Sequence, residues 1–404
     1  MKRTNKVLLI IPFESIYPPT SGGKQRCFHI LHQLSIHFDL TVISGIDQIQ
    51  IENARRDYVS LRNVNFNFID EELKIPLLWK LFPRKLSYAF YYRLINRSLF
   101  KSAKAFLLKF YKPTLNLLKT GNFDFVIHEN IDSIDLARII KRKFPEVIQV
   151  YDAYNFDSET AEHQYSLGLI SKRTLSQIRL IESTLYKYIQ ILWTCSQREK
   201  ELFCKANDQF IRNIDVIPNG TEITSYKTNV LVKERHELLF VGSLDYFPNE
   251  EGLIWFLKNV LPNIDKNFNL KVIGSGKSST ELNQLINLNK NVQLIGFVES
   301  LDDYYLISDI VIIPIISGSG TRLKALEAMK FQKAIVSTSK GVEGIEIIDE
   351  VMIEDDPHIM AKGITDLLEN YQLRSELGFK AKQLVQKSFD WNVIGKKIKS
   401  SLEI

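Results

Sequence analysis

Short apolar runs alternate with amphipathic, helix-like segments along nearly the whole chain of 404 residues. In the first half the runs predict β-strands at 7–11, 40–44, 65–69, 125–128, 148–151 and 192–194. In the second half they predict strands at 238–241, 270–273, 292–294, 310–313, 334–338 and 350–353. Because short strands separated by helical segments are typical of β-α-β units, the pattern predicts two α/β domains with parallel sheets.

The segments between the strands predict the helices and the domain boundary. In the first half a helix is expected from Lys24, helical character over 75–120 with breaks at Pro83 and Pro113, and a long polar helix over 158–185. In the second half the clearest helices are 250–261, 321–331 and a tail from Asn392. A polar stretch marked by Pro, Asn and Gly, residues 213–232, predicts that the boundary between the domains lies at about 215–235.

The most informative segment is 315–329, where a buried-type strand runs into a glycine-rich loop and then directly into a helical pattern. Glycines let the backbone approach a ligand, and the free N–H groups of a helix start favour an anion such as phosphate. Arg322 and Lys324 add positive charge there, and Glu327 follows one turn later, where a carboxylate can accept hydrogen bonds from a ribose diol. The pattern therefore indicates a nucleotide, although a Lys324–Glu327 pair is also compatible with a plain surface salt bridge.

This segment resembles the donor-site signature of GT-B glycosyltransferases of family GT4, which reads G-[SGT]-G-T-R-x-K-x-L-E-A. Further segments resemble the family in the same order. They are the glycine-rich loop within 12–32, V-I-P-N-G at 216–220, the strand and loop at 239–249, V-Q-L-I-G-F-V at 292–298 and F-D-W at 389–391. The resemblance is specific over roughly residues 215–395 and weak over 35–210.

The resemblance implies an α/β protein of the GT-B fold, with two Rossmann-like domains whose parallel sheets face a cleft. Residues 1–215 would form an acceptor-binding domain and 216–390 a nucleotide-sugar (donor) domain, while the helix at 391–404 would pack back toward the first domain. The implied enzyme is a hexosyltransferase-type glycosyltransferase that retains the anomeric configuration. It would move a sugar from a nucleotide diphosphate sugar to a hydroxyl, with that donor as co-substrate and no cofactor.

The resemblance also assigns site residues. The predicted catalytic residues are His128, Asp152, Arg322 and Lys324. The predicted donor-binding residues are Gly22, Gly23, Gly242, Ser243, Gly274, Ser275, Phe297, Val298, Ser319, Gly320, Thr321, Arg322, Lys324 and Glu327. For His128 a hydrogen-bonded structural role stays open, and for the Gly22–Gly23 pair a plain turn stays open. Lys24 and Arg26 are expected to add charge near the same phosphates.

Four positions depart from the family pattern. The first glutamate of its Glu-x7-Glu spacing is Ser319, and its usual Arg and Lys after the first strand of the second domain are Ser243 and Asn249. Arg322 and Lys324 are therefore the available cations for a diphosphate. The histidine of the family's D-x-H-N segment is Tyr154 here, within Y-D-A-Y-N at 151–155.

Composition excludes several other classes. The three cysteines are an odd number without C-x-x-C spacing, which indicates neither a disulfide framework nor a zinc site. Asp-x-Asp, the metal-diphosphate signature of the other main glycosyltransferase fold, does not occur, so a metal-independent enzyme is expected. No apolar run approaches the length of a membrane span, and the apolar start is too short for a signal peptide, so a cytoplasmic location is expected.

Positive charge is concentrated in one stretch. Residues 73–123 contain 11 Lys or Arg, no Asp or Glu, and many interleaved aromatic residues. A solvated basic face over core aromatics is one interpretation. The other is a surface for an anionic partner, for which a membrane leaflet or a lipid-linked acceptor fits better than nucleic acid, since no nucleic-acid motif is present. A peripheral position on the inner face of the membrane, in surface polysaccharide or glycolipid synthesis, follows from that interpretation and from the resemblance.

Two alternative functions stay open from the sequence. One is a GT-B-fold sugar-nucleotide epimerase, which would need no acceptor. The other is a catalytically silent partner subunit, for which the missing glutamate at Ser319 is the best argument. The retained Glu327 and the basic loop argue against the silent subunit.

Overall fold

The computed structural model describes residues 5–13, 15–69, 101–207, 213–223, 236–318, 320 and 322–403. The chain divides into two compact units, residues 1–217 with 395–404 and residues 218–394. Most of the basic stretch 73–123, together with Ser319 and Thr321, lies outside the described residues.

The first unit contains a seven-stranded sheet whose described pairs are all parallel. Its strands are β1 (Lys6–Ile11), β2 (Asp39–Ser44), β3 (Asn65–Phe68), β4 (Phe125–Glu129), β5 (Ile148–Asp152), β6 (Ile191–Thr194) and β7 (Asn213–Val216). They lie in the order β3-β2-β1-β4-β5-β6-β7, so the strands after β1 are added on one side of it up to β3 and on its other side from β4 onwards. The point between β1 and β4, where the strand order reverses, is the usual place of a ligand site in such sheets.

Helices accompany these strands: α1 (Gly22–His37), α2 (Gln48–Asp57), α3 (Lys101–Gly121), α4 (Ile134–Lys143), α5 (Asp157–Ser166), α6 (Lys172–Ser183) and α7 (Gln197–Ala206). Residues 395–404 complete the unit. The Asn5 side chain donates to the Leu402 carbonyl at 3.2 Å, and the Trp193 indole donates to the Ser401 hydroxyl at 2.9 Å.

The second unit contains a six-stranded parallel sheet in the order β10-β9-β8-β11-β12-β13. Its strands are β8 (Glu237–Val241), β9 (Asn269–Ile273), β10 (Val292–Gly296), β11 (Ile310–Ile313), β12 (Ala334–Ser337) and β13 (Met352–Ile353). Its helices are α8 (Phe247–Trp255), α9 (Thr280–Leu288), α10 (Asp302–Ile307), α11 (Leu323–Lys330), α12 (Pro357–Glu369) and α13 (Tyr371–Ser388), and α14 (Trp391–Leu402) follows.

The continuous apolar character of the strands follows from burial on both faces of this sheet. Leu238 and Phe240 of β8 belong to one buried cluster, whereas Leu239 belongs to the cluster on the other face. Ile312 and Ile313 of β11 divide in the same way. A strand covered on both faces cannot alternate apolar with polar residues. The predicted α/β class with two Rossmann-like, parallel-sheet domains is therefore confirmed.

Four local predictions need correction. Strand β7 lies inside the stretch predicted as an irregular boundary. The predicted helix over 158–185 is two helices, α5 and α6, joined by a turn at Gly168, which has φ 71°. Pro113 lies within helix α3 and does not break it. The helix predicted over 250–261 begins at Phe247 and continues beyond Trp255 as a π-helical segment, Phe256–Val260.

Candidate active site

The glycine-rich loop follows β11 at the carboxyl edge of the second sheet and leads into α11. Gly318 and Gly320 both have positive φ values, 83° and 90°, which glycine adopts at little cost. The helix begins at Leu323, two residues later than predicted, with Arg322 as its N-cap residue. Lys324 and Glu327 therefore lie in the first two turns of a helix whose amino end points out of the sheet edge.

Arg322 is buried and bound to the backbone of its surroundings. Its Nε donates to the Lys340 carbonyl at 3.1 Å, and one terminal nitrogen donates to the Ser317 carbonyl at 3.1 Å. Burial lowers the pKa of Arg322, while Tyr246 and Glu343 oppose that shift. Its guanidinium thus connects the loop to the segment after β12. The N–H groups in these two bonds are not free for the diphosphate that the sequence predicts Arg322 to bind.

Replacing Arg322 with Ala is expected to destabilise the second unit. Losing a buried cation that bonds two carbonyls should cost about 2 kcal/mol, or roughly 4–8 °C in Tm for a unit of this size. Thermal unfolding followed by intrinsic fluorescence measures the change. Arg322→Lys is the matched control, because it keeps the charge but not the two-carbonyl geometry, and it should recover at most part of the loss. An unchanged Tm for Arg322→Ala would refute the fastening role.

Lys324 lies over the carboxyl end of β8. Its Nζ donates to Asn249 Oδ1 at 2.6 Å and lies 5.2 Å from the centre of the Phe240 ring. A Cβ atom on Gly242 would lie 2.9 Å from this Nζ and 2.8 Å from the Asn249 amide nitrogen, so a larger residue there would displace these two side chains. Burial, with a smaller contribution from Arg322, lowers the pKa of Lys324 to about 7. An ammonium in this environment gains from any anion that comes within reach.

The two positions where the resemblance expects cations form the support of this lysine. Asn249 donates from Nδ2 to the Ser243 carbonyl at 2.8 Å while its Oδ1 receives the lysine ammonium. Because both positions carry neutral residues, the Lys324 ammonium bonds to an amide oxygen there and not to a carboxylate.

Glu327 lies one turn further along α11 and contacts Tyr305 of α10. The Tyr305 hydroxyl donates to Glu327 Oε2 at 3.3 Å, and its ring stacks on Phe331 with centroids 4.8 Å apart. Burial raises the pKa of Glu327, while Lys330, Tyr305 and Lys324 oppose the shift. Lys324 and Glu327 thus each bond to a different side chain, which disfavours the simple surface salt bridge between them.

The remaining predicted donor residues of this unit occupy loops at the same sheet edge. A Cβ on Gly274 would lie 1.9 Å from the Gly242 carbonyl oxygen, so the loops after β8 and β9 touch through these two glycines. Ser243 and Ser275 are joined through their hydroxyl oxygens at 3.3 Å. After β10, the Phe297 ring is 74% exposed.

Val298, next to Phe297, is partly buried and packs against the core of this unit. The second sheet therefore collects at one edge the predicted donor residues that the structure describes in this unit, Gly242, Ser243, Gly274, Ser275, Phe297, Val298, Gly320, Arg322, Lys324 and Glu327.

In the first unit, Gly22 and Gly23 form the first turn of α1, at the carboxyl edge of its own sheet. A Cβ on Gly23 would contact the Tyr154 ring at 3.5 Å, and that ring stacks on Phe13 with centroids 6.0 Å apart. The pair therefore starts a helix rather than forming a plain turn.

Asp152 is fully buried and forms an ion pair with Arg26. The Arg26 Nε donates to Asp152 Oδ2 at 3.0 Å, and Nη1 donates to the Ile217 carbonyl at 2.8 Å. Two predictions need correction as a result: Arg26 does not add charge near phosphates, and Asp152 has no exposed oxygen for a substrate. The ion pair fixes α1 to the end of β5.

Glu129, which the sequence did not single out, completes this buried group. It pairs with Asp152 across β4 and β5, and it accepts a hydrogen bond from the Tyr154 hydroxyl. Burial and the Asp152 charge raise the pKa of Glu129 well above its ordinary value. Tyr154, at the position of the family's histidine, is held beneath Gly23 by that contact.

His128 is also buried and does not reach a surface. Its Nε2 lies 3.0 Å from Gln149 Oε1, and burial lowers the pKa of His128 to about 4. Gln149 in turn donates to the carbonyls of Ala137 and Tyr188 at 3.0 Å each. The geometry favours the structural role over the catalytic one for this histidine.

Sequence reasoning missed several residues that complete these sites. Asn249 and Tyr305, on other helices, form hydrogen bonds with Lys324 and Glu327 respectively. Glu129, on a neighbouring strand, accepts a hydrogen bond from Tyr154. In the part of the chain that the structure describes, no cluster of three His, Cys, Asp or Glu side chains has the arrangement of a metal site. Within the same residues, no helix has the length and apolarity needed to cross a bilayer.

The sequence is similar to a glycosyltransferase family model and to two bacterial or archaeal proteins. Residues 235–370 match the model of the family "Glycosyl transferases group 1". The chain is 33% identical over 176 residues to an uncharacterized 44.6 kDa protein in the cps region of Klebsiella pneumoniae, which covers 41% of this chain and 44% of that protein. It is 25% identical over 320 residues to an uncharacterized glycosyltransferase of Methanocaldococcus jannaschii, which covers 74% of this chain and 79% of that protein.

Solved structures share the fold at low identity. The Anabaena protein Alr3699/HepE, crystallised in complex with UDP, superposes with a TM-score of 0.66 at 14% identity, over 98% of this chain and 99% of that one. The chain therefore has the GT-B fold of glycosyltransferases, and its second unit carries the segment that the family model describes.

Proposed function

We propose that this protein is a retaining, GT4-type glycosyltransferase that moves a hexosyl group from a nucleotide diphosphate sugar to a hydroxyl acceptor. The observation that carries the proposal is the pair on α11. Burial lowers the pKa of Lys324 to about 7, its Nζ bonds to the neutral side chain of Asn249, and Glu327 lies one turn away on the same helix. A cation and a carboxyl at this spacing match the diphosphate and the ribose of one nucleotide.

Each group has a role in the reaction. The bond between the sugar C1 and the diphosphate oxygen breaks, a bond from C1 to the acceptor oxygen forms, and the acceptor proton passes to the departing diphosphate. Lys324, the loop amide of Gly320 and a remaining N–H of Arg322 stabilise the negative charge that develops on that diphosphate. Glu327 positions the ribose, with Phe297 and Val298 beside the base.

Uridine is the base that we propose first. The Anabaena protein with the same fold has been crystallised with UDP-glucose as well as with UDP. Charge stabilisation by side chains and helix amides makes a divalent metal unnecessary for this chemistry, so we propose a metal-independent reaction.

The acceptor that we propose is a lipid-linked or saccharide hydroxyl in surface polysaccharide or glycolipid synthesis. This setting rests on the family resemblance and on the basic, aromatic stretch 73–123, whose 11 cations suit an anionic leaflet. The proposed location is cytoplasmic, with peripheral attachment to the inner face of the membrane.

A donor screen tests the proposal. Release of nucleoside diphosphate is measured from UDP-, GDP-, ADP- and TDP-hexoses, with and without a bacterial membrane extract, in excess EDTA. We expect release from one donor that rises when the extract is added and persists in EDTA. Lys324→Met is the inactive control.

Two other outcomes would replace the proposal. Interconversion of sugar isomers in the absence of any acceptor would identify an epimerase. Tight nucleotide binding with no turnover on any donor and extract would identify a silent partner subunit, and loss of release in EDTA would identify a metal requirement.

A further inference from the structure

Helices α5 and α6 form a hairpin in the first unit, and the turn between them has a defined geometry. Leu169 N donates to the Gln164 carbonyl at 2.9 Å, and Gly168 N donates to the Tyr165 carbonyl at 3.0 Å. With Gly168 at a φ of 71°, these two bonds form a Schellman motif, which ends α5 with its last carbonyls satisfied. The backbone of the turn is therefore held by hydrogen bonds of its own.

The apolar side chains of this turn lie in solvent. Leu167 is 60% exposed and Leu169 is 71% exposed, and Tyr165 is exposed beside them. In an ordinary Schellman motif the residue at the position of Leu169 packs against an apolar residue near the helix end. Here the helix end offers Gln164 and His163, so Leu169 has no apolar partner there. We call residues 165–173 the hairpin tip.

The charge at the hairpin tip is positive. Lys172 and Arg173 follow the turn directly, and both are exposed. The exposed acids of the hairpin are neutralised from other positions: Glu159 pairs with Arg198, and Glu162 lies 2.6 Å from Arg179. Exposed leucines next to such cations have the chemistry of a segment that meets an anionic bilayer.

We propose that the hairpin tip is a membrane-contact site, in which Leu167 and Leu169 enter the interfacial region of an anionic leaflet while Lys172 and Arg173 contact lipid phosphates. A bilayer is a suitable partner because the exposed residues lie on a turn. A fluid interface can take up such side chains without a preformed pocket. The charge complements anionic lipid. The proposal rests on the described residues of the hairpin tip, and it does not depend on the donor chemistry proposed above.

Vesicle flotation tests the proposal. The full-length protein is floated with phosphatidylglycerol–phosphatidylcholine vesicles and with phosphatidylcholine vesicles. The double variant Leu167→Ser/Leu169→Ser should lower the partition coefficient by about tenfold or more, because two leucine side chains lose their apolar environment. The matched control is Leu288→Ser on α9, a leucine that is 79% exposed in the second unit and should change nothing. Lys172→Gln/Arg173→Gln should reduce binding to the anionic vesicles alone.

A second measurement reports insertion directly. An environment-sensitive fluorophore is attached to Leu169→Cys in a Cys204→Ser background, where the two remaining cysteines, Cys27 and Cys195, are buried. Anionic vesicles should shift its emission to the blue, and the same label at Leu288→Cys should stay unshifted.

Equal flotation of the wild type and Leu167→Ser/Leu169→Ser, together with an unshifted label, would overturn the proposal. A wild-type dimer that this double variant converts to a monomer, without any change in flotation, would overturn it in favour of a contact between copies of the chain. Because these variants lie outside the second unit, UDP affinity should stay unchanged, so failure here is distinguishable from failure of the donor site.

Discussion

Replacing Lys324 with Met is expected to weaken UDP binding by about 3 kcal/mol, or roughly 150-fold. We expect this because the Lys324 ammonium bonds to the side-chain oxygen of Asn249, whereas the Arg322 guanidinium is already bonded to the backbone carbonyls of Ser317 and Lys340. UMP, which lacks the second phosphate, should lose much less affinity than UDP. Calorimetric titration of both ligands measures the difference.

A matched control separates this local role from the general effect of charge. Lys362 on α12 is exposed, so Lys362→Met removes the same charge from the same unit. It should change UDP affinity less than about twofold, because exposed charges are screened by salt. Equal losses of UDP and UMP affinity in Lys324→Met would contradict the diphosphate role.

The stability of Lys324→Met should separate binding from folding. Because burial lowers the pKa of Lys324, the charged ammonium destabilises the folded protein when no ligand is bound. An apolar side chain of similar length does not carry this desolvation cost. The Tm of Lys324→Met should therefore equal or exceed that of the wild type, in contrast to Arg322→Ala.

Binding should also depend on pH in a defined direction. The free Lys324 has a pKa of about 7, and a bound diphosphate would raise it. The contribution of Lys324 to UDP affinity is then fully present below pH 7 and falls as the pH rises above it, and at pH 8 this group takes up about one proton on binding. Titrations in buffers of different ionisation enthalpy measure this uptake. The Lys324→Met variant shows only the titration of UDP itself, so an equal proton uptake in both proteins would exclude Lys324 as its source.

The sequence predicted the sheets well because their signal is local. Strands such as Ile310–Ile313 are buried on both faces and read as unbroken apolar runs, so their bounds agree with the pattern to within a residue or two. Strand β7 was missed since its residues, Asn213–Val216, are only partly buried and one of them is Asp215. The helix over 158–185 was predicted as continuous because its break depends on one left-handed residue, Gly168.

The site residues also divide into those with a local sequence signal and those that depend on distant contacts. The loop glycines, Lys324 and Glu327 lie close together in sequence, and their spacing alone predicts a nucleotide. The roles of Asp152 and Arg26 depend on a contact between residues 126 positions apart, which no local pattern contains. The support of Lys324 by Asn249 is of the same kind, over 75 positions. Polar residues at strand ends are therefore ambiguous from sequence, since substrate contacts and buried ion pairs have the same local appearance.

Replacing Glu327 with Ala is expected to weaken UDP binding by about 1.5–3 kcal/mol, or roughly 10- to 150-fold, because a charged acceptor of a ribose diol is lost. The loss should be similar for UDP, UMP and uridine, in contrast to the phosphate-dependent loss at Lys324. Since burial raises the pKa of Glu327, the affinity of the wild type should fall as the pH drops through a range above that of an ordinary glutamate. Calorimetry with the three ligands measures both effects.

A chemical change in the ligand identifies the atom that Glu327 recognises. The wild type should bind 2′-deoxy-UDP more weakly than UDP, whereas Glu327→Ala should bind the two almost equally, since its partner for the hydroxyl is already absent. Tyr305→Phe is the matched control: it removes the hydroxyl that donates to Glu327 Oε2 and keeps the ring stacked on Phe331. That variant should keep the discrimination between the two ligands, because the carboxylate remains. If Glu327→Ala still distinguishes UDP from 2′-deoxy-UDP as the wild type does, another residue binds the ribose, and the role of this helix is limited to the diphosphate.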